Sequence, residues 1–169
     1  ASASVTRVTS SSEPGVRLRV EGVLAGDDGR NPLPGAQLRI YHTDSGGYYN
    51  RQDNDTRKAR ITATIPVEAD GSYTFESIRP GRYPESRIAA HIHVFLSAPG
   101  VAEHWIDDFL FADDTFNSEE ALQRSRAAGR FAFVMNVERT SSGLLRARRE
   151  IKLDRTVAER NRLVNGWYA

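Results

Sequence analysis

From Val16 to Leu24 the apolar residues Val16, Leu18, Val20 and Leu24 fall on even positions, with Arg17, Arg19 and Glu21 between them. A period of two puts the apolar side chains on one face of an extended chain, so the spacing predicts a half-buried strand. The stretch GDDGRNPLPG at 26–35 is dense in turn residues and interrupts the pattern. Ala36, Leu38 and Ile40 then alternate with Gln37 and Arg39 and predict a second strand. Residues 42–60 lose the alternation and become polar, glycine-rich and aromatic. A loop of that length in a compact domain is usually functional or disordered. Extended character returns over Ile61–Val67 and, past the tight turn Ala69–Ser72, over Tyr73–Phe75. RPGRYP at 79–84 breaks the chain again, and Ala89–Ser97 predicts a further strand.

The last third has a different texture. Ser118 followed by Glu119 and Glu120 predicts a capped helix running to Ala128. Arg130–Glu138 and Leu144–Leu153 read as a hairpin around Ser141–Gly143, and Asp154–Asn165 as a closing helix capped by Asp154. The expected architecture is one mostly-β domain over residues 16–169, an antiparallel β-sandwich with a few short helices in its C-terminal third. A flexible segment, residues 1–15, precedes it.

Composition narrows the function. The chain has 169 residues, with 39% hydrophobic and 27% charged, enough to bury a core. Lys+Arg 23 against Asp+Glu 22 leaves a net charge of +1, so the strong basic excess of a nucleic-acid binder is missing. No apolar run approaches the ~18–20 residues of a membrane-spanning helix. With no cysteine there are no disulfides, thiolate metal sites or thiol nucleophiles. The compartment stays open, although the Ala/Ser/Thr-rich start suits an exported protein just after a signal-peptide cut. Exposed sheet edges of a short single domain are compatible with pairing into a homodimer.

His91 and His93 lie two apart in a predicted strand, so both imidazoles project from one face while Ala90, Ile92, Val94 and Leu96 take the other. Taken alone, His-x-His fits either two metal ligands or two hydrogen-bonded surface histidines. Tyr48 and Tyr49 sit in the long loop, and Tyr83 lies between Arg82 and Pro84 just upstream of the histidines. Turn tyrosines commonly pack on a sandwich edge. A hard trivalent cation would instead lower the phenol pKa from its usual ~10 and take tyrosinate as a ligand.

The motifs NPLPGAQLRIY, DSGGYY, DGSYTFESIRPGRYP, AHIHVFLSAPG and IDDFLFADD occur in one order over the segment from Gly22 to about Asp113, the last motif ending at Asp114. That series resembles the catalytic core of intradiol ring-cleavage dioxygenases, the catechol and protocatechuate type. The resemblance implies a non-haem Fe(III) enzyme that cleaves a catechol-type ring between its two hydroxyls with O2, giving a muconate-type diacid. The alternative is a transthyretin-like β-sandwich binding module without turnover. By resemblance the iron ligands are Tyr49, Tyr83, His91 and His93, with Tyr83 also accepting a substrate proton, and Tyr48 a substrate contact. The family's arginine three residues before the first histidine is replaced here by Ile88, with Arg87 one residue further away. A one-residue shift reverses the face of a strand residue unless a bulge restores it. Arg87 is nevertheless the expected stabiliser of charge on the substrate. Asp108 stands where the family has a glutamine and is expected beside the substrate.

Other candidates take plainer readings. His42 and His104 are expected on the surface or in loops, Asp107, Asp108, Asp113 and Asp114 in a solvated acidic turn rather than a calcium site, and Arg146, Arg148 and Arg149 on the solvated side of a strand or turn. There is no Gly-x-Ser-x-Gly, Gly-x-Gly-x-x-Gly or Walker-type loop.

Overall fold

A computed structural model describes residues 4–163. In chain order its strands are β1 (Thr6–Arg7), β2 (Arg17–Ala25), β3 (Gln37–His42), β4 (Ile61–Pro66), β5 (Ser72–Ile78), β6 (His91–Ala98), β7 (Val101–Trp105), β8 (Phe109–Phe111), β9 (Val134–Met135), β10 (Val137–Arg139) and β11 (Leu145–Lys152). Helices α1 (Glu119–Ala127) and α2 (Arg155–Arg160) and two short 3-10 turns, Thr56–Lys58 and Gly129–Phe131, complete it. The strands form two packed sheets, β1-β5-β2-β11-β10 and β4-β3-β6-β8-β9, with β7 also on β6.

The alternation read from the sequence sets which side chains meet. Leu18, Val20 and Leu24 of β2 and Phe75 of β5 face Leu38, Ile40, Ile92, Val94 and Leu96 of the second sheet, all without exposed surface. Each such side chain contributes ~1.5–3 kcal/mol through burial, which fixes the register of both sheets. Gly22 lies mid-strand because a Cβ there would overlap the carbonyl oxygen of Arg149 on β11. The second sheet is covered on its other side as well. Tyr41 of β3 and Phe95 of β6 pack there against Tyr49 from the long loop. The histidine face is therefore partly roofed over rather than fully open to water.

Several expectations change. The sandwich is mixed, because β1–β5, β2–β11 and β8–β9 pair in parallel. The segment expected to be flexible lays Thr6–Arg7 along β5, and Glu13 pairs with Arg60. The first arm of the expected hairpin is split. Ser125 Oγ accepts from the N–H groups of Phe133 and Val134, drawing this segment onto α1 and into the second sheet, so only β10 pairs with β11. Asp154 caps α2 as expected, but the helix stops at Arg160, and the Asn165 end of that expectation lies outside the described residues. Trp105 N–H donates to the Asn161 carbonyl, and the Asn161 amide donates to the Trp105 carbonyl, which turns the chain along β7.

The plain readings of isolated polar residues change too. His42 and His104 are buried. His42 Nδ1 meets the Thr43 carbonyl at 2.7 Å and Nε2 meets Ser77 Oγ at 2.7 Å. Asp114 is not in a solvated turn: it is buried, takes both sides of the Arg82 guanidinium and accepts the Ala90 N–H. Arg149 faces inward, because β11 places Leu145, Ala147, Arg149 and Ile151 on its core side.

Candidate metal centre

Two loops and one strand build the site. β6 supplies His91 and His93, half-buried on the face away from the main core. Tyr49 comes from the long loop, whose first turn is organised by Asp44. One Asp44 carboxylate oxygen accepts from the N–H groups of Gly46 and Tyr48, while the other accepts from Arg51. The Tyr49 N–H then donates to the Asn54 side chain, and its carbonyl accepts from Arg60 N–H.

The second loop, Arg79–Pro84, lies directly against the first. Thr43 Oγ1 donates to the Gly81 carbonyl and Gly81 N–H to the Asp44 carbonyl. Glycine is required at both contact points. Gly47 has φ +91°, and a Cβ there would overlap the Arg82 carbonyl oxygen; a Cβ on Gly81 would overlap the Ser45 carbonyl. Asp114 joins the same loop to β6, since it holds Arg82 on one side of Tyr83 and the Ala90 N–H just before His91.

The result is a convergence of four polar atoms. Tyr49 Oη lies 2.9 Å from His93 Nε2, Tyr83 Oη lies 3.0 Å from His91 Nε2, and the two phenol oxygens touch each other. Each imidazole has its other nitrogen against an acceptor: His91 Nδ1 on the Ala89 carbonyl at 2.8 Å and His93 Nδ1 on Asp108 Oδ1 at 3.1 Å. An Nδ1–H donated in this way leaves the Nε2 lone pair facing inward. Burial and the neighbouring His93 hold His91 below the ordinary histidine pKa, which keeps it neutral. Burial, reinforced by the Tyr83 hydroxyl, pushes the Tyr49 phenol well above the usual tyrosine range. Without a cation, this phenol keeps its proton.

The donor set fits a hard cation. Atoms 2.9 and 3.0 Å apart are spaced as neighbouring ligands of one ion are when each bond is ~2.0–2.2 Å. Two neutral imidazole lone pairs and two ionisable phenols would meet at one point. His91, His93 and Asp108 also group closely enough to suggest a two-histidine, one-carboxylate set. Asp108, however, sits on the Nδ1 side of His93 and also accepts from Trp105 Nε1, whereas the tyrosines gather at Nε2. Burial pushes the Asp108 carboxyl up, but the hydrogen bonds from His93 and from the Trp105 N–H outweigh it and hold it below the usual range.

Residues 1–149 match the sequence model of the dioxygenase family. The chain belongs to the intradiol dioxygenases. Among curated relatives the chain is 28% identical over 138 residues to catechol 1,2-dioxygenase 2 of Acinetobacter lwoffii, covering 69% of this chain and 50% of that protein. It is 30% identical over 128 residues to hydroxyquinol 1,2-dioxygenase of Nocardioides simplex, covering 63% and 43%. The chain thus spans about half the length, or less, of these relatives. Its fold also matches the dioxygenase domain of a dioxygenase–carbohydrate-binding fusion from Streptomyces sp. SirexAA-E, with TM-score 0.67, 27% identity and 90% of each chain covered. An intradiol ring-cleavage dioxygenase from Tetranychus urticae shares the fold at TM-score 0.62 and 19% identity, covering 88% and 85%.

In this chain Tyr49, Tyr83, His91 and His93 come together, and Tyr48 does not join them. Its ring packs under the Arg51 guanidinium, 4.2 Å from the ring centre. Arg87 lines a cavity of about 430 Å3 together with Tyr83, Ile88, His91, Asp108 and Phe116. Its guanidinium stacks over Phe116 at 5.0 Å, so the one-residue shift does not remove it from the site. Asp108 borders the same cavity but spends one carboxylate oxygen on His93. Tyr41 ends the NPLPGAQLRIY motif, which assigns it no role, and it stacks on His93 at 4.5 Å. Its signal was the strand register, which sets Tyr41 directly opposite His93. Trp105 left no sequence signal, and Asp114 reads in the sequence as a solvated turn residue, because their partners lie on other elements.

Proposed function

We propose that this protein is a non-haem Fe(III) intradiol dioxygenase that opens a catechol-type ring between its two hydroxyls. The observation that carries the reading is the meeting of Tyr49 Oη, Tyr83 Oη, His91 Nε2 and His93 Nε2, with both Nδ1 atoms already committed elsewhere. Tyr49, Tyr83, His91 and His93 would hold the ion. Bound there, ferric iron supplies a chelation point for a vicinal diol and draws electron density from the ring toward reaction with O2.

The two tyrosines are not equivalent. Tyr49 is 3% exposed and locked under Tyr41 and Phe95, whereas Tyr83 is half-buried and borders the cavity. Tyr83 is therefore the group that meets an incoming diol and accepts one of its hydroxyl protons at Oη. Asp108 holds the His93 ring in place while this happens. Arg87 presents a cation at the cavity wall, where it stabilises negative charge on the deprotonated ring. Phe116, Leu110 and Ile88 give that cavity an apolar wall against which a flat ring can lie. Both atoms of O2 enter the product. The diol therefore leaves as a ring-opened diacid that has gained two oxygens and neither gained nor lost hydrogen.

The test is purified protein reconstituted with iron and supplied with catechol, hydroxyquinol and protocatechuate. The expected result is one iron per chain, a visible tyrosinate-to-iron absorption band, and one O2 consumed per ring opened. Protein that binds no iron, or binds it without that band, would overturn the ligand assignment.

A further inference from the structure

Arg149 carries a charge that the chemistry above does not use. It stands at an inward position of β11, between Ala147 and Ile151, and only 6% of it is exposed. Its main chain cannot retreat. Gly22 packs against its carbonyl, which also accepts the Tyr73 hydroxyl at 2.7 Å. The guanidinium lies over Phe109 at 4.8 Å and near Phe133 at 5.8 Å, and Nη1 donates to the Asp107 carbonyl at 2.7 Å. Nε is buried without a hydrogen-bond partner among the described residues.

A buried cation ordinarily needs a counter-charge, and the stacking, one carbonyl and the attraction of Asp107 and Asp108, neither of which bonds the guanidinium through its carboxylate, are modest compensation. Arg149 lines a cavity of about 500 Å3 between β11, α1 and α2. The two carboxylates that share this lining are already engaged. Asp107 pairs with Arg124, and Asp154 caps the first turn of α2 through Thr156 and Val157 N–H. Lys152 adds further positive charge to the rim, while Phe131, Phe133 and Ile151 make the floor apolar. The cavity therefore combines an under-compensated cation with a ring-sized apolar surface. It is separate from the cavity beside the histidines and shares no lining residue with it.

We infer that this cavity is a second ligand site, one that takes a small organic acid whose carboxylate pairs with Arg149 and whose apolar body lies on Phe131 and Phe133. The assignment is independent of the metal chemistry, because none of the four converging residues lines it.

Calorimetric titration of the full chain with benzoate, benzamide and acetate tests it. Benzoate should bind saturably, one per chain; benzamide, which keeps the ring without the charge, and acetate, which keeps the charge without the ring, should each bind at least about tenfold more weakly. Arg149→Met should lose the benzoate isotherm. Because that residue is buried, Ala127→Trp is the second variant: Ala127 is exposed and lines the cavity, so an indole there fills the space without touching the buried charge. Its loss of binding supports the site even if the Arg149 variant does not fold. His91→Ala should bind benzoate as the parent does. Absence of saturable benzoate binding, unchanged binding in Ala127→Trp, or loss of binding in His91→Ala would each overturn the inference, the last by placing benzoate at the histidines.

Discussion

Asp108 accepts a hydrogen bond from His93 on the nitrogen opposite the one that faces Tyr49. A carboxylate in this position fixes the imidazole tautomer and makes Nε2 a stronger donor. Asp108→Asn keeps an acceptor but removes the charge, and Asp108→Ala removes both. Loss of such a partner typically weakens metal binding about 10–100-fold. Iron affinity, measured by competition with a coloured chelator, should therefore fall in the order parent, Asn, Ala. Equal affinity in all three would mean that Asp108 does not orient His93.

Gly47 is the tightest point between the two tyrosine loops. Gly47→Ala forces a Cβ into the Arg82 carbonyl at φ +91°, so the loops must part and Tyr49 must separate from Tyr83. Gly143 makes the matching control, with φ +88° but open space around it. Gly143→Ala should cost only the ~1 kcal/mol of an unfavourable backbone conformation. Gly47→Ala should cost more, roughly 2–4 kcal/mol by urea unfolding, and should also abolish iron retention.

Much of this arrangement was legible in the sequence, and the reason is its local character. Alternation over Leu18–Leu24 and Ile92–Leu96 predicted the strands that form the core, because a period of two states directly which face is buried. The same logic put His91 and His93 on one face. Arg130–Glu138 failed because its fate depends on Ser125, on a different element. His42 and Arg149 failed for a related reason. A polar residue at a strand's inward position looks like a surface residue until its partner across the sandwich, Ser77 or the Asp107 carbonyl, is known. Arg87 lines the cavity beside the histidines although it stands one residue away from the family pattern, because its segment is a loop preceding β6, where strand alternation does not govern side-chain direction.

His42 makes stability depend on pH. Complete burial lowers its pKa from 6.5 to about 4 in the folded protein. Between those values the unfolded chain binds the proton and the folded one does not, so stability rises with pH across this window. The contribution is complete above about pH 6.5 and is lost as pH falls toward 4, amounting to roughly 3 kcal/mol. Urea midpoints at pH 7 and pH 5 should differ in the parent protein. In His42→Gln the difference should shrink, since glutamine cannot take up the proton. An undiminished difference would assign the slope to other groups.

Tyr83 and Tyr49 should separate in a paired substitution. Both Tyr→Phe variants lose one phenolate and so weaken the visible absorption band, but only Tyr83 borders the cavity. Tyr83→Phe removes the acceptor for a substrate proton, and loss of such a base costs about 10²–10⁴-fold in rate. The variant should still hold iron through Tyr49, His91 and His93, but with a slower, more pH-dependent chelation of catechol followed by stopped flow. Tyr49→Phe removes a buried oxygen that never meets substrate, so its main deficit should be in iron retention, read by dialysis against chelator. The pattern matters more than either value. Tyr83→Phe turning over catechol at the parent rate would leave no place for Tyr83 as a base, and the proton would have to leave by another route.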